Sequence, residues 1–108
     1  MDCTPRLQPV DIGPVRLEDP VILAPMSGVT DMPFRRLVKQ GGAGLVVSEM
    51  IASAAMVREN RKTLLMAKNS PEEFPMAVQL AGCEPDMMAE AAKLNEDRGA
   101  ALIDINFG

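Results

Sequence analysis

The fold of this 108-residue chain is decided by residues 21–35, which read VILAPMSGVTDMPFR. The apolar run at residues 21–24 predicts a buried strand. A short turn follows, and Thr30 and Asp31 are candidate helix caps before Pro33 in the first helical turn. The stretch therefore predicts a strand that enters a helix through a tight loop. In α/β proteins such loops lie at the carboxyl ends of parallel strands, where cofactors and substrates bind.

The same strand-and-helix order repeats along the chain. Further strands are predicted at residues 43–47, 75–80 and 101–106, and helices at residues 31–40, 52–67 and from Pro85 to Gly99. This alternation is typical of βα units that form a parallel sheet. Residues 1–20 hold short apolar pieces around Gly13-Pro14, which predicts a β-hairpin before the first parallel strand.

Composition limits the class of protein. With 47% hydrophobic and 24% charged residues, the chain has the composition of one globular domain rather than a disordered segment. The net charge of −4 gives no general signal for nucleic-acid binding. Cys3 and Cys83 lie in dissimilar contexts, so neither a disulfide framework nor a zinc site is indicated, and no metal site is expected. We find no signal peptide or transmembrane run and expect a cytoplasmic protein.

Side-chain alternation selects two amides as candidate site residues. In the fourth predicted strand, Leu102, Asp104 and Asn106 share one face, and helices would cover the other. In the third, Gln79 points inward at the strand end. An amide offers donors and an acceptor, which suits the edge of a planar heterocycle. The alternative is that these are hydrogen-bonded polar residues that close a barrel interior.

Four linked motifs carry a family resemblance. They are LAPMSGVTDMPFR at 23–35, GAG at 42–44 with SEM at 48–50, VQLAG at 78–82, and DINFG at 104–108. Together, in this order and approximate spacing, they closely resemble the tRNA-dihydrouridine synthases, and the bacterial B-type branch most of all. The resemblance runs from about Pro9 to the last residue.

The resemblance implies a fold and a cofactor. The fold would be a (β/α)8 TIM barrel that binds FMN, followed by a C-terminal helical domain that grips tRNA. Residues 1–20 would be an N-terminal hairpin or extension, and residues 21–108 the first half of the barrel with its first four strands. Pro25, Met26 and Ser27 would cradle the flavin through their backbone, and Gln79 would hydrogen-bond the isoalloxazine edge.

The resemblance also implies a reaction. The flavin, reduced by NADPH, would pass a hydride to C6 of a tRNA uridine, and a cysteine would protonate C5 to give 5,6-dihydrouridine. Asn106 would face the substrate uracil. In the family that cysteine follows the DINFG motif, so we expect it just after Gly108; neither Cys3 nor Cys83 occupies a matching place. Ser27 stands where alanine or glutamate is more usual.

The family's later Lys and His residues are also absent from the 108 residues. We therefore expect an N-terminal portion of the enzyme, and we expect the isolated 108 residues neither to bind FMN stably nor to reduce uridine. Such an open half-barrel would expose apolar strand edges, which favours aggregation or association.

A basic cluster is a candidate RNA contact. It consists of Arg58, Arg61, Lys62 and Lys68, with Arg35 and Arg36 as further candidates. The alternative is a solvated helix face, since Glu59 dilutes the charge.

Two other functions remain open from the sequence. One is a different FMN barrel that acts on a free small pyrimidine. The other is a truncated, non-enzymatic module.

Overall fold

The structure is an α/β architecture in which helices cover one face of a parallel sheet and a small hairpin packs on the other. The computed structural model describes residues 7–108, so Cys3 and the first residues of the predicted extension lie outside it. The strands are β1 (Val10–Ile12), β2 (Val15–Leu17), β3 (Ile22–Leu23), β4 (Leu45–Val47), β5 (Ile51–Ala52), β6 (Met76–Ala81) and β7 (Leu102–Ile105). The helices are α1 (Met32–Gln40), α2 (Ser53–Val57), α3 (Arg61–Ala67) and α4 (Pro85–Asp97), with a 3-10 turn at Pro71–Glu73.

The parallel sheet follows the chain order β3, β4, β6, β7. Ile22 pairs with Leu45, Val46 with Met76, and Gln79 with Asp104. Each connection between these strands contains at least one helix, as parallel neighbours require. The prediction of an α/β fold with parallel βα units and an N-terminal hairpin is therefore confirmed. The short strand β5, which the sequence analysis missed, continues along the β4 edge of β6.

Alternation along the strands divides the core into two clusters. The helix-facing cluster combines strand residues with buried residues of α2, α3 and α4: Ala43, Val46, Ile51, Met56, Ala67, Met76, Val78, Leu80 and Ala91. The second cluster lies on the opposite, inner face and contains Leu17, Leu45, Val47 and Ala77, with Leu102 packed against it. Ile103 packs on the helix side. The predicted alternation of β6 and the first half of β7 is confirmed.

The hairpin of β1 and β2 packs on the inner face near the amino ends of the strands. Its strands pair in antiparallel register from Val10–Leu17 to Ile12–Val15 and turn at Gly13, which has a φ of +56°. Leu17 is buried against the inner cluster. The exit from the hairpin passes so close to β4 that a Cβ at Gly44 would collide with the Asp19 carbonyl oxygen. This close approach is why glycine is needed at that point.

The helix predicted at residues 52–67 is two helices. Helix α2 ends at Val57 with Arg58 as its C-cap, Glu59 adopts a φ of +55°, and α3 begins after Asn60. The Asn60 side chain accepts hydrogen bonds from the backbone N–H groups of Lys62 and Thr63. Asn60 is thus an N-cap inside the predicted helix, and capping explains why the chain breaks there.

The packing face of α1 also differs from the prediction. The spacing of Phe34, Leu37 and Val38, at three and four residues, predicts that these side chains share the buried face, but Leu37 is 65% exposed. Arg35 is instead fully buried. The suggestion that Arg35 contacts RNA is therefore wrong, because its guanidinium is out of reach of any external ligand.

The buried Arg35 guanidinium joins three separate segments. Its Nε donates to Glu73 Oε2 at 2.7 Å, its Nη1 to the Thr30 carbonyl at 2.7 Å, and its Nη2 to the Lys68 carbonyl at 2.7 Å. The Glu73 side chain is also fully buried, and its other oxygen accepts from the Ser70 N–H. A buried charge is tolerated only when it is paired and hydrogen-bonded, and this pair satisfies both conditions.

No helix within residues 7–108 is both long enough and apolar enough to cross a membrane.

Removing the Arg35 side chain should strongly destabilise the protein. Arg35→Ala leaves the Glu73 carboxylate buried without its partner, which costs about 3–5 kcal/mol in comparable buried pairs. Urea denaturation of the full-length protein measures the loss. The matched control is Arg36→Ala, because Arg36 forms an exposed ion pair with Glu72 at 2.6 Å and such pairs contribute less than about 1 kcal/mol. Equal losses for the two variants would contradict this account of the Arg35 pair.

Candidate active site

The candidate site lies at the carboxyl ends of the parallel strands, where four segments meet. They are the 26–31 turn after β3, residues 48–50 after β4, Gln79 two residues before the end of β6, and the segment from Asp104 to Asn106 at the end of β7. Hydrogen bonds that involve at least one side chain connect these segments in pairs. The carboxyl edge of a parallel sheet is the usual place for a ligand site in α/β folds.

The 26–31 turn is held by the buried side chain of Thr30. Its hydroxyl accepts from the Met26 N–H at 3.1 Å and donates to the Met26 carbonyl at 3.1 Å. The N–H groups of Val29 and Thr30 also donate to the Met26 carbonyl. Thr30 was expected only as a candidate helix cap; Asp31 is the residue that caps α1, through Phe34 N.

These bonds decide which backbone groups of the turn remain free for a ligand. Pro25 has no N–H, and the Met26 N–H is used by Thr30. The Gly28 N–H donates to Glu49 Oε1. Among the N–H groups of residues 26–31, only that of Ser27 lacks a protein acceptor within the described part of the chain. Of the three predicted cradle residues, Ser27 is thus the one with an available backbone donor.

Residues 48–50 form a bulge between β4 and β5. Val47 pairs with Ala77 and Ile51 with Leu80, so three residues on this edge face only two on β6. Such an extra residue redirects side chains, and bulges are frequent next to active sites. Ser48 is the buried first residue of the bulge, and its hydroxyl donates to the Glu49 carbonyl at 2.9 Å and accepts from Gln79 N at 3.1 Å.

Gln79 is oriented by a carboxylate. Its Nε2 donates to Asp104 Oδ2 at 2.6 Å, across the register pair that joins β6 and β7. Since a carboxylate only accepts hydrogen bonds, the amide nitrogen must face Asp104 and the Oε1 must face the other way. Oε1 accepts from Asn106 Nδ2 at 3.3 Å. The second hydrogen of Gln79 Nε2 has no acceptor among the described residues.

Asn106 lies beside Gln79, and its amide is already engaged. Nδ2 contacts Gln79 Oε1 and, at 3.4 Å, Met50 Sδ, while Oδ1 accepts from Gly108 N at 2.7 Å. A thioether sulfur is a weak acceptor. The Met50 contact is therefore the bond that a substrate oxygen would most easily replace.

The arrangement suits the edge of a planar heterocycle. It offers one free backbone N–H at Ser27, one free amide hydrogen at Gln79, and an amide at Asn106 with an exchangeable contact. Below the polar residues, the inner face has a cavity of about 270 Å³ whose lining residues are Ile12, Ile22, Leu45, Val47, Ala77, Leu102, Ile103 and Asp104. The donor set thus fits an uncharged ring with carbonyl and ring-nitrogen acceptors, as the predicted FMN requires. No group of three or more His, Cys, Asp or Glu in residues 7–108 could hold a metal ion.

Sequence reasoning singled out Gln79 and Asn106 but not the residues that fix them. The sequence pattern places Asp104 on the inner face without giving it a role, and Glu49 stands only within the SEM motif at 48–50. The alternation of β7 could have suggested the Asp104 contact, because register pairs on one face are close. Nothing local in the sequence indicates that Glu49 reaches Gly28, which is 21 positions away.

The predicted RNA contacts Arg58, Arg61 and Lys62 are exposed and lie at the junction of α2 and α3. Within residues 7–108 none of these three side chains forms a salt bridge. Lys68 is exposed at the other end of α3, and Arg36 is paired with Glu72. The junction is therefore the part of the predicted basic cluster that has free cationic groups close together in sequence.

Cys83 is exposed and lies just before Glu84, the N-cap residue of α4. No contact connects its thiol with Gln79 or Asn106 in the described residues.

Comparison with known proteins identifies the family. The family model for dihydrouridine synthase (Dus) matches residues 22–108. A probable tRNA-dihydrouridine synthase of Rickettsia bellii is 60% identical over 100 residues, which are 92% of this chain and 31% of that protein. The tRNA-dihydrouridine synthase B of Pseudomonas aeruginosa is 50% identical over 99 residues, 92% of this chain and 30% of that protein.

A probable tRNA-dihydrouridine synthase of Rhodobacter capsulatus is 52% identical over 102 residues, again 92% of this chain and 31% of the relative. The chain thus spans less than a third of the length of these curated relatives and matches them over nearly all of its own length. With the family model covering residues 22–108, the chain belongs to the dihydrouridine synthase family.

Proposed function

We propose that the full-length protein containing this chain reduces specific uridines in tRNA to 5,6-dihydrouridine, with FMN as cofactor and NADPH as reductant. The names of the relatives support the product and the tRNA substrate. The chain would contribute the first four strands of a (β/α)8 barrel, and the rest of the barrel and a C-terminal helical domain would complete the enzyme. It would act in the cytoplasm.

The observation that carries the proposal is the hydrogen-bonded series Asp104–Gln79–Asn106 beside the 26–31 turn. It presents oriented amides on the inner face at the carboxyl ends of adjacent strands. Proteins that use flavins supply binding, orientation and electrostatics, while the cofactor supplies the redox chemistry. Oriented amides and a free backbone N–H are groups of that kind.

On the flavin side, Gln79 would donate its second Nε2 hydrogen to the isoalloxazine edge, and Ser27 would donate its backbone N–H. Pro25 and Met26 would line the ring, with Met26 held by Thr30. Asp104 keeps the donor end of Gln79 from rotating away. When bound, FMN would supply the hydride that reduces the C5–C6 double bond of the uracil at C6.

On the substrate side, Asn106 would exchange its weak contact with Met50 Sδ for a hydrogen bond to a uracil carbonyl. The protein has to take the target base out of its stack, since a ring carbon inside a helix is inaccessible. A cysteine outside these 108 residues would give the proton to C5. Asn106 then holds the uracil while both atoms are added.

The experiment that tests the function is a deletion strain. Nucleoside mass spectrometry of its tRNA should show dihydrouridine missing from defined positions, and the full-length gene should restore it. The purified full-length protein should reduce tRNA and leave free uracil and orotate unchanged. Unaltered dihydrouridine in a strain with no paralogue, or reduction of a free pyrimidine instead of tRNA, would refute the proposal.

Gln79→Ala in the full-length protein should raise the Kd for FMN about 10-fold, because it removes one hydrogen-bond donor to the ring. Titration of the flavin fluorescence measures the Kd. Gln40→Ala is the matched control, since Gln40 is an exposed glutamine at the end of α1. A Kd for the Gln79 variant equal to that of the control would remove Gln79 from the flavin site.

Charge reversal at the α2–α3 junction should weaken tRNA binding. In the full-length protein, Arg58→Glu with Arg61→Glu should lower the slope of log Kd against log salt by about one for each phosphate that the junction no longer neutralises. The control is Arg16→Glu, which makes on the hairpin the same charge change as each of the two single reversals, at a site where Arg16 is paired with Asp11 and Glu18. If the double variant keeps the wild-type salt slope, the junction does not bind the phosphates of tRNA.

A further inference from the structure

Glu49 makes the one bond that connects the tip of the 26–31 turn to another element of the described structure. The other hydrogen bonds of Met26, Val29 and Thr30 through their N–H groups stay within the turn. Arg35 holds the base of the turn through the Thr30 carbonyl. Glu49 Oε1 accepts from Gly28 N at 2.5 Å and so connects the tip to the bulge after β4.

The tip needs such a restraint. Ser27, Gly28 and Val29 are all exposed, and Gly28 adopts a φ of +77°, where glycine has unusual conformational freedom. A Cβ at Gly28 would meet no atom within 4 Å, so packing does not hold this position. The hydrogen bond to a carboxylate is charge-assisted and therefore stronger than a bond between neutral groups.

The backbone of Glu49 is itself restrained by Ser48. The Ser48 hydroxyl donates to the Glu49 carbonyl and accepts from the backbone of Gln79, the other predicted flavin-binding residue. The bulge thus connects the 26–31 turn with the strand that carries Gln79. A fixed distance between the Ser27 N–H and the Gln79 amide is what a rigid planar ligand needs in order to use both donors at once.

We propose that Glu49 is a positioning residue for the flavin. Because its carboxylate accepts from the Gly28 N–H, that N–H cannot also donate to the flavin ring. The same hydrogen bond fixes the turn, so that the Ser27 N–H is the donor that the ring can use. The inference rests on the proposed function, since it takes FMN as the ligand. Glu49 does not contact the flavin in this account and takes no part in proton transfer.

The test compares Glu49→Ala and Glu49→Gln in the full-length protein, with three measurements. Hydrogen–deuterium exchange of the cofactor-free protein reports on the 26–31 segment, fluorescence titration gives the Kd for FMN, and thermal unfolding reports on global stability. Glu49→Ala should speed exchange of the Gly28 amide at least 10-fold and raise the Kd about 10-fold, with the unfolding temperature unchanged. Glu49→Gln keeps an acceptor at the same place, so the exchange rate of the Gly28 amide and the Kd for FMN should return most of the way to their wild-type values.

Glu84→Ala is the matched control, because Glu84 is an exposed glutamate at the carboxyl end of β6 whose side chain makes no capping hydrogen bond. It should behave as wild type in all three measurements. The inference is overturned if Glu49→Ala keeps wild-type exchange and Kd, if Glu49→Gln is as impaired as Glu49→Ala, or if the wild type binds no FMN. If instead FMN binding responds as expected but the deletion strain keeps its dihydrouridine, the proposed function fails and the role of Glu49 in flavin binding stands.

Discussion

The buried ion pair of Arg35 and Glu73 is the constraint on which the site depends. One guanidinium holds the base of the 26–31 turn, the end of α3 and the 3-10 turn before β6. The guanidinium binds the carbonyl of Thr30, the same residue whose hydroxyl closes the turn around Met26. Such a pair is weak evidence for stability in itself, since apolar replacements are often as stable. Its effect here is to fix geometry, because each donor direction of the planar guanidinium meets a different segment.

Above that pair, the site is built from polar groups that restrain one another. Asp104 orients Gln79, Gln79 accepts from Asn106, Ser48 connects the β4 bulge with β6, and Glu49 reaches across to Gly28. Positions on regular strands and restrained turns hold ligand groups more accurately than free loops do. Among the described residues the same arrangement leaves few groups unpaired, and those few are the ones that the proposed flavin and uracil would use. These free groups lie within residues 22–108, the part of the chain that matches the dihydrouridine synthase family model.

Much of this architecture could be predicted from the sequence because its signals are local. The two-residue period of β6 placed Gln79 on the inner face, and Asp31 before Pro33 marked the start of α1. The errors arose where distant residues decide the outcome. Arg35 is buried because it pairs with Glu73, 38 positions later. Helix α1 therefore turns its Arg35 face inward, which leaves Leu37 exposed. The β4 bulge that brings Glu49 to Gly28 depends on strand register, which no local pattern specifies.

The most direct test of this account is a crystal structure of the full-length protein with FMN. The account predicts the isoalloxazine ring at the carboxyl ends of the strands, with Ser27 N and Gln79 Nε2 each within about 3.2 Å of a ring acceptor. It also predicts that Glu49 still accepts from Gly28 and that Asp104 still accepts from Gln79. A flavin bound elsewhere, with Ser27 N and Gln79 Nε2 contacting only protein or water, would contradict it.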